Sequence, residues 1–224
     1  MSYLARVKIC CIGSMEEAHL AIECGANALG LVSAMPSGPG VIPDEMIARV
    51  AAATPPGVTP VLLTSEQEAG PIIEQQRRLG PRAIQLVDYV KPSVFTELRA
   101  ALPGIALMQV THITGPESLA DALKAAGCAD ALLLDSGNPT LAIKELGGTG
   151  RTHNWEISRE ICERSPVPVF LAGGLNPDNV AAAIRQVRPY GVDICSGVRT
   201  EGRLDPVKLA AFMRAVRSTW ELDG

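Results

Sequence analysis

A (β/α)8 barrel, the TIM-barrel fold, is what this sequence predicts, and three observations predict it. Eight short apolar runs alternate with eight helix-like runs, one pair about every 27 residues. The apolar runs are continuous rather than alternating, as in parallel strands covered on both faces. Strand followed by helix, repeated without interruption, requires a parallel sheet. The alternative is an open, doubly wound sheet. Its dinucleotide-binding form places G-x-G-x-x-G in the turn after the first strand. Here Cys10-Cys11-Ile12-Gly13-Ser14 fills that turn, so a Rossmann reading fails.

The elements follow in order. Residues 7–12 read as the first strand. Ser14 is an N-cap with Glu17 three residues on, a capping box, and this helix runs to about Cys24 before Gly25 stops it. Residues 28–32 form the second strand, and a Gly/Pro-rich loop spans 33–40. Pro43-Asp44-Glu45 opens the next helix. Residues 60–64 are the third strand, with Ser65 capping a helix to Leu79. Strands over 83–87, 105–111 and 131–135 are each followed by a helix, over 92–102, 115–126 and 154–164. A long loop, 136–153, precedes the last of these. The seventh strand is 168–172, and Asn176-Pro177-Asp178 opens a helix to Val187. The eighth strand is 192–195, and Asp205-Pro206 opens a final helix to about Thr219. No linker or composition shift divides the chain, so 1–224 reads as one barrel domain.

Composition narrows the function. Lys plus Arg is 20 and Asp plus Glu 24, for a net charge of −4, with no basic run to engage nucleic acid or an anionic membrane. No apolar run reaches the roughly 18 residues of a membrane span. The N-terminal residues lack a secretory pattern, so a cytoplasmic protein is expected. The six cysteines contain no C-x-x-C pair, which argues against a zinc or thioredoxin-type motif. Cys24, Cys128 and Cys162 read as small buried apolar residues.

In a barrel of this kind the chemistry sits at the C-terminal ends of the strands. The first strand carries Lys8 and Cys10, two residues apart and therefore on one face. Lys8 is either a paired structural lysine near the mouth or a source of positive potential that makes Cys10 a usable general base. Asp135 ends the sixth strand after four apolar residues. It is either a turn aspartate or a general acid whose pKa is raised by apolar neighbours. Asp193, two residues before Cys195, is a supporting carboxylate facing the interior. Gly173-Gly174 and Ser196-Gly197 close the seventh and eighth strands, where this fold commonly holds a phosphate on backbone N–H groups. Gly147-Gly148-Thr149-Gly150 is a third cradle or a lid.

These residues resemble the phosphoribosylanthranilate isomerase family of tryptophan biosynthesis. The family's K-I-C-G strand is met by Lys8-Ile9-Cys10-Cys11, and its acidic-alanine pattern by Glu16-Glu17-Ala18. Its Q-L-H-G is represented by Gln85-Leu86-Val87-Asp88 and its L-L-D by Leu133-Leu134-Asp135. The G-G-[ST]-G run is met by Gly147 to Gly150, leading to Trp155. The L-A-G-G-L-x-x-x-N block is complete from Leu171 to Asn179, and D-x-x-S-G-V from Asp193 to Val198. The resemblance implies an Amadori rearrangement of an aminoaldose phosphate to an aminoketose phosphate, with Asp135 as acid and Cys10 as base. It implies no metal or organic cofactor, a small phosphorylated aminosugar as partner, substrate contacts from Gln85 and Gly148, and a monomer or homodimer. Three positions depart from the pattern. Pro39 stands in place of the arginine expected to meet the anthranilate carboxylate, Val87 in place of a histidine, and Arg199 in place of a glutamate. The missing charge is therefore expected from Arg199, or from Arg151, unless the aglycone differs. A paralogue acting on another phosphorylated aminosugar and a non-catalytic phosphate-binding barrel are the alternative functions.

Overall fold

The computed structural model describes residues 4–137 and 153–221. Its first half comprises β1 (Arg6–Ile9), α1 (Met15–Glu23), β2 (Ala28–Val32), α2 (Asp44–Ala53), β3 (Thr59–Thr64), α3 (Ala69–Leu79), β4 (Ala83–Leu86) and α4 (Pro92–Ala101). Then come β5 (Ala106–His112), α5 (Ser118–Ala126), β6 (Ala131–Asp135), α6 (Trp155–Arg164), β7 (Val169–Leu171), α7 (Val180–Val187) and β8 (Gly191–Ile194). A single 3-10 turn (Ser196–Val198), β9 (Arg199–Thr200), β10 (Arg203–Leu204) and α8 (Pro206–Glu221) complete the chain. Among the described residues, β1 to β8 pair in chain order, all parallel, and β8 closes on β1 with Lys8 opposite Asp193. The expected (β/α)8 barrel is the observed one.

Although the strands read as largely continuous apolar runs, their residues still alternate between two environments. Ala28, Val61, Leu63, Ala83, Met108, Val110, Leu133 and Phe170 fill the barrel interior. Leu29, Leu31, Leu62, Val192 and Ile194 face outward beneath one group of helices, and Ile84, Leu86, Leu107, Leu132 and Leu134 beneath another. The helices answer with matching stripes: α7 buries Val180, Ala183, Ile184 and Val187, spaced i, i+3, i+4 and i+7. Each fully buried Leu or Ile in this shell contributes about 1.5–3 kcal/mol relative to exposure. At the closed end, Gly191 leaves room for the Phe170 ring, since a Cβ there would lie 2.5 Å from a ring carbon.

Several boundaries differ from the sequence expectation, each for a local reason. β1 ends at Ile9, although Cys10 N–H still donates to Ile194 O at 2.8 Å, because Cys11 turns the chain with φ 61°. Ser65 caps no helix. Thr64 Oγ1 takes the Glu66 N–H at 3.2 Å, and α3 begins only at Ala69. α5 begins at Ser118 rather than Gly115, since the Ser118 hydroxyl accepts from Thr114 N–H (3.1 Å) and donates to His112 O (3.2 Å), tying up the turn before it. Asn176 opens a turn rather than α7, its Oδ1 accepting from the N–H groups of Asp178 and Asn179. The β9–β10 hairpin was not expected. Glu201 and Gly202 both adopt positive φ (50° and 78°), as a two-residue hairpin turn requires. No helix among the described residues is long and apolar enough to cross a membrane.

Candidate active site

A cleft opens at the C-terminal ends of the strands. Cys10, Asp135, Asp193, Gln85, Gly173, Gly174 and Ser196 line it, so residues far apart in sequence meet at one mouth. Below the mouth Lys8 is fully buried, with Nζ 2.7 Å from Asp193 Oδ1. Burial pulls the lysine pKa down, but Asp193, aided by Cys10 and Cys11, pulls it further up, so the ammonium stays charged. Of the two readings weighed from sequence, the paired lysine near the mouth is the one the contact with Asp193 shows. Space for it comes from Gly30 on β2. A Cβ there would lie 2.8 Å from Cys10 Sγ and 3.0 Å from Lys8 Nζ.

Asp135 ends β6 facing the cleft and is almost wholly buried. Desolvation pushes its carboxyl up to about 6, reinforced by the Asp193 charge and opposed by N–H groups of Ser136 and Gly137 and by Lys8. A carboxyl so placed holds a proton far more readily than one in water. Gln85, projecting from β4, is buried, and its Oε1 accepts no hydrogen bond among the described residues. A buried acceptor without a donor is costly, and this one lines the cleft.

The loops after β7 and β8 pack backbone against backbone. Gly173 and Gly174 both have positive φ (80° and 64°). A Cβ on Gly173 would lie 2.8 Å from Ser136 Oγ, and one on Gly197 would overlap the Leu175 carbonyl. Asn179 fastens the β7 loop, with Nδ2 donating to Gly174 O at 2.9 Å and Oδ1 accepting from Asn176 N–H at 2.8 Å. Gly173, Gly174 and Ser196 line the cleft, while Gly197 serves the close packing beside it. Gly148 and Arg151 lie outside the described residues. Among the described residues, no cluster of three or more His, Cys, Asp or Glu is arranged to hold a metal ion.

Arg199 corrects an expectation. It does not reach across the mouth but lies behind the β1–α1 turn, where its two terminal nitrogens each meet a Glu17 oxygen at 3.1 Å. The guanidinium also donates to the carbonyls of Cys10, Cys11 and Gly202. Glu17 in turn accepts from the N–H groups of Gly13 and Leu204, both at 2.9 Å. The side chains of the pair are only 10% and 16% exposed. With its terminal donors spent on Glu17 and three carbonyls, the arginine is a strut for the turn that carries Cys10. The sequence hint was Glu17 in the capping box. Ser14 Oγ does accept from Glu17 N–H at 3.2 Å, yet the Glu17 carboxylate goes to Arg199, a partner 182 residues away.

Fold and site define the class: a (β/α)8 barrel with its polar residues gathered at the strand C-termini. Residues 7–215 match the family model described as N-(5′-phosphoribosyl)anthranilate (PRA) isomerase. The chain is 35% identical to N-(5′-phosphoribosyl)anthranilate isomerase of Methanocella arvoryzae over 217 residues, covering 96% of this chain and all of that one. Among solved structures, the phosphoribosyl anthranilate isomerase of Thermotoga maritima superposes with TM-score 0.82 at 29% identity, covering 96% of this chain and 100% of that one. A phosphoribosyl anthranilate isomerase in complex with reduced 1-(o-carboxyphenylamino)-1-deoxyribulose 5-phosphate superposes with TM-score 0.79 at 27% identity and the same coverage. The chain belongs to the N-(5′-phosphoribosyl)anthranilate isomerase family.

Two outcomes follow from this geometry. Arg199→Ala leaves Glu17 and three carbonyls without their cation, and is expected to cost about 3 kcal/mol of stability, the scale for breaking a largely buried pair. Chemical denaturation measures it, and an unchanged midpoint refutes the strut. Gly30→Ala pushes a methyl group against Cys10 Sγ and Lys8 Nζ. Overpacking of this kind is expected to cost about 1–3 kcal/mol of stability, read as a lowered denaturation midpoint, and an unchanged midpoint refutes the close fit.

Proposed function

We propose that this protein converts N-(5′-phosphoribosyl)anthranilate to the corresponding 1-(carboxyphenylamino)-deoxyribulose phosphate by an Amadori rearrangement. The observation that carries the proposal is the buried Asp135, with its carboxyl raised to about 6, sharing one cleft with Cys10. Asp135 protonates the furanose ring oxygen, and the ring opens to an iminium. Cys10 Sγ removes the C2′ proton, and the resulting enolamine tautomerises to the ketone. The iminium accepts the electron pair, so these steps call on no cofactor. Lys8 and Asp193 support the pair from below: the ammonium keeps a positive charge beside Cys10, and Asp193 anchors that ammonium.

The phosphate end is assigned to Gly173, Gly174, Ser196 and Gly197: Gly173 and Gly174, at positive φ, let backbone N–H groups approach an anion, and Gly197 lets the β8 loop close against the β7 loop beside them. The aromatic ring of the aglycone suits the apolar wall of Val32, Met35, Leu63, Val87 and Val110. Gln85 Oε1 is assigned a substrate hydroxyl as donor. Gly148, between β6 and α6 in the sequence, keeps its proposed place as a substrate contact. A second reading has an observation of its own: among the described residues, no Arg or Lys lines the cleft, and a buried carboxylate is costly without a cation or several donors. In that reading the acid and base act on a phosphorylated aminosugar with an uncharged aglycone.

Direct assay of purified protein on phosphoribosylanthranilate, with complementation of a tryptophan auxotroph lacking this isomerase, decides between the two. Turnover with growth supports the first reading, and failure of both rejects it. Cys10→Ala and Asp135→Asn are each expected to lower kcat by at least ~10²-fold, and near-normal turnover by either removes that residue from the mechanism.

Asp135→Asn carries a second expectation, in stability. Because the folded pKa is raised from 3.8 to about 6, the native state binds the extra proton between those values. The contribution of this group to stability is therefore full below pH 3.8 and is lost as pH rises through about 6. At pH 7 the ionised carboxyl costs up to about 3 kcal/mol. Asp135→Asn should raise the Tm at pH 7, and the gain should vanish by pH 4. A variant less stable than wild type at pH 7 contradicts the burial argument.

A further inference from the structure

The mechanism uses one of three cysteines at the barrel mouth. Cys11 and Cys195 have no part in it, yet both line the cleft beside Cys10. β1 and β8 are paired neighbours, with Ile9 opposite Ile194, so the residues just beyond them leave the barrel side by side. Cys11 stands where the family pattern has glycine, and it keeps the left-handed backbone that glycine favours, φ 61°. The effect is to swing its side chain toward β8, where its Sγ lies 2.7 Å from Cys195 Sγ. A disulfide bond measures about 2.05 Å, so little movement separates the two thiols from a covalent link. Cys11 Sγ also donates to Pro39 O at 3.6 Å, in the loop after β2 that walls the cleft. The Arg199 guanidinium donates to Cys11 O, and its charge, although paired with Glu17, favours the thiolate form of Cys195.

We propose that Cys11 and Cys195 are an oxidation site, a dithiol that hydrogen peroxide converts to an intramolecular disulfide and that small thiols restore. Cys195 is the attacking sulfur. Its hydrogen bond with Cys11 lowers its pKa, burial opposes this, and the Arg199 charge adds to the lowering. The Cys195 thiolate attacks one peroxide oxygen, the O–O bond breaks, and hydroxide leaves, giving a sulfenic acid. Cys11 then attacks that sulfur. The S–S bond forms, the S–O bond breaks, and the Cys11 proton leaves with the oxygen as water. Overall two thiols lose two electrons and two protons, and one peroxide becomes two waters. Reduction runs by thiol–disulfide exchange.

Oxidation also removes the S–H that Pro39 O accepts, and it ties the turn holding Cys10 to the residue before Ser196. The cleft therefore changes at two walls while Cys10 remains a free thiol. This kinetic consequence rests on the isomerase reading, whereas the cross-link does not.

The test uses the full chain, exposed to a small excess of hydrogen peroxide, alkylated and mapped by mass spectrometry. The expected result is the loss of two titratable thiols and a cross-link joining the segment that contains Cys11 to the one that contains Cys195, reversed by dithiothreitol. Cys10→Ala retains the link. Cys11→Gly, which suits the backbone there, and Cys195→Ser each abolish it. No link in the wild type, or a link that survives Cys11→Gly, overturns the proposal. In the oxidised wild type, the KM for phosphoribosylanthranilate is expected to rise several-fold and recover on reduction, with no such rise in Cys195→Ser. An unchanged KM in fully cross-linked protein overturns the coupling to the cleft. If the untreated enzyme shows no turnover, the isomerase reading fails, and the mass map still decides the cross-link.

Discussion

The site is organised around one fully buried ion pair, Lys8 with Asp193, at the seam where β8 closes the barrel on β1. Taking two charges out of water costs several kcal/mol per ion, and a good contact repays this only in part. An apolar pair of similar volume would serve stability as well or better. What the ion pair supplies is a permanent field. The ammonium holds positive charge next to Cys10, and the Asp193 carboxylate helps raise Asp135. Closing the barrel and polarising the mouth are therefore the same event, because the strand register that brings Lys8 opposite Asp193 also aligns Cys10 beyond them.

The alternation along each strand then sorts roles. Outward residues are mostly large and aliphatic, since the helices demand packing. Inward residues are mixed, and their sizes are matched across the barrel. Gly30 is empty so that Lys8 and Cys10 fit, and Gly191 is empty so that the Phe170 ring fits. Asp135 sits where the same interior withdraws water from a carboxyl. The price of its readiness to hold a proton is a native state burdened at neutral pH.

Around this centre the chain replaces features of the family pattern with linked substitutions. Arg199 occupies a glutamate position, and its partner Glu17 lies under the turn that holds Cys10. Cys11 occupies a glycine position and keeps the glycine-like backbone. The two changes meet, since the Arg199 guanidinium donates to the Cys11 carbonyl. A positively charged clamp on that carbonyl and a sulfur contact to Cys195 both hold the strained residue in place. The turn after β1 is thus secured by side chains of this chain, where the family pattern relies on glycine.

The sequence alone determined the number and order of the eight barrel strands and their helices, because continuous apolar runs and helical stripes are local signals that need no partner to be seen. It also determined which residue types stand at the strand ends: Cys10, Asp135 and the glycines after β7 and β8 are legible because strand length and chain direction fix where an end falls. Helix starts were less legible, since hydroxyls such as Thr64 and Ser118 compete locally for the N–H groups a cap would take. Tertiary structure alone decided the partners. Lys8 could have paired with any carboxylate, and Arg199 read as a free cation until Glu17, 182 residues away, was found against it. Nothing in the sequence sets Gly30 apart from other strand glycines or brings Cys11 to Cys195. Their roles depend on distances across the closed barrel, and those distances exist only once β8 has met β1.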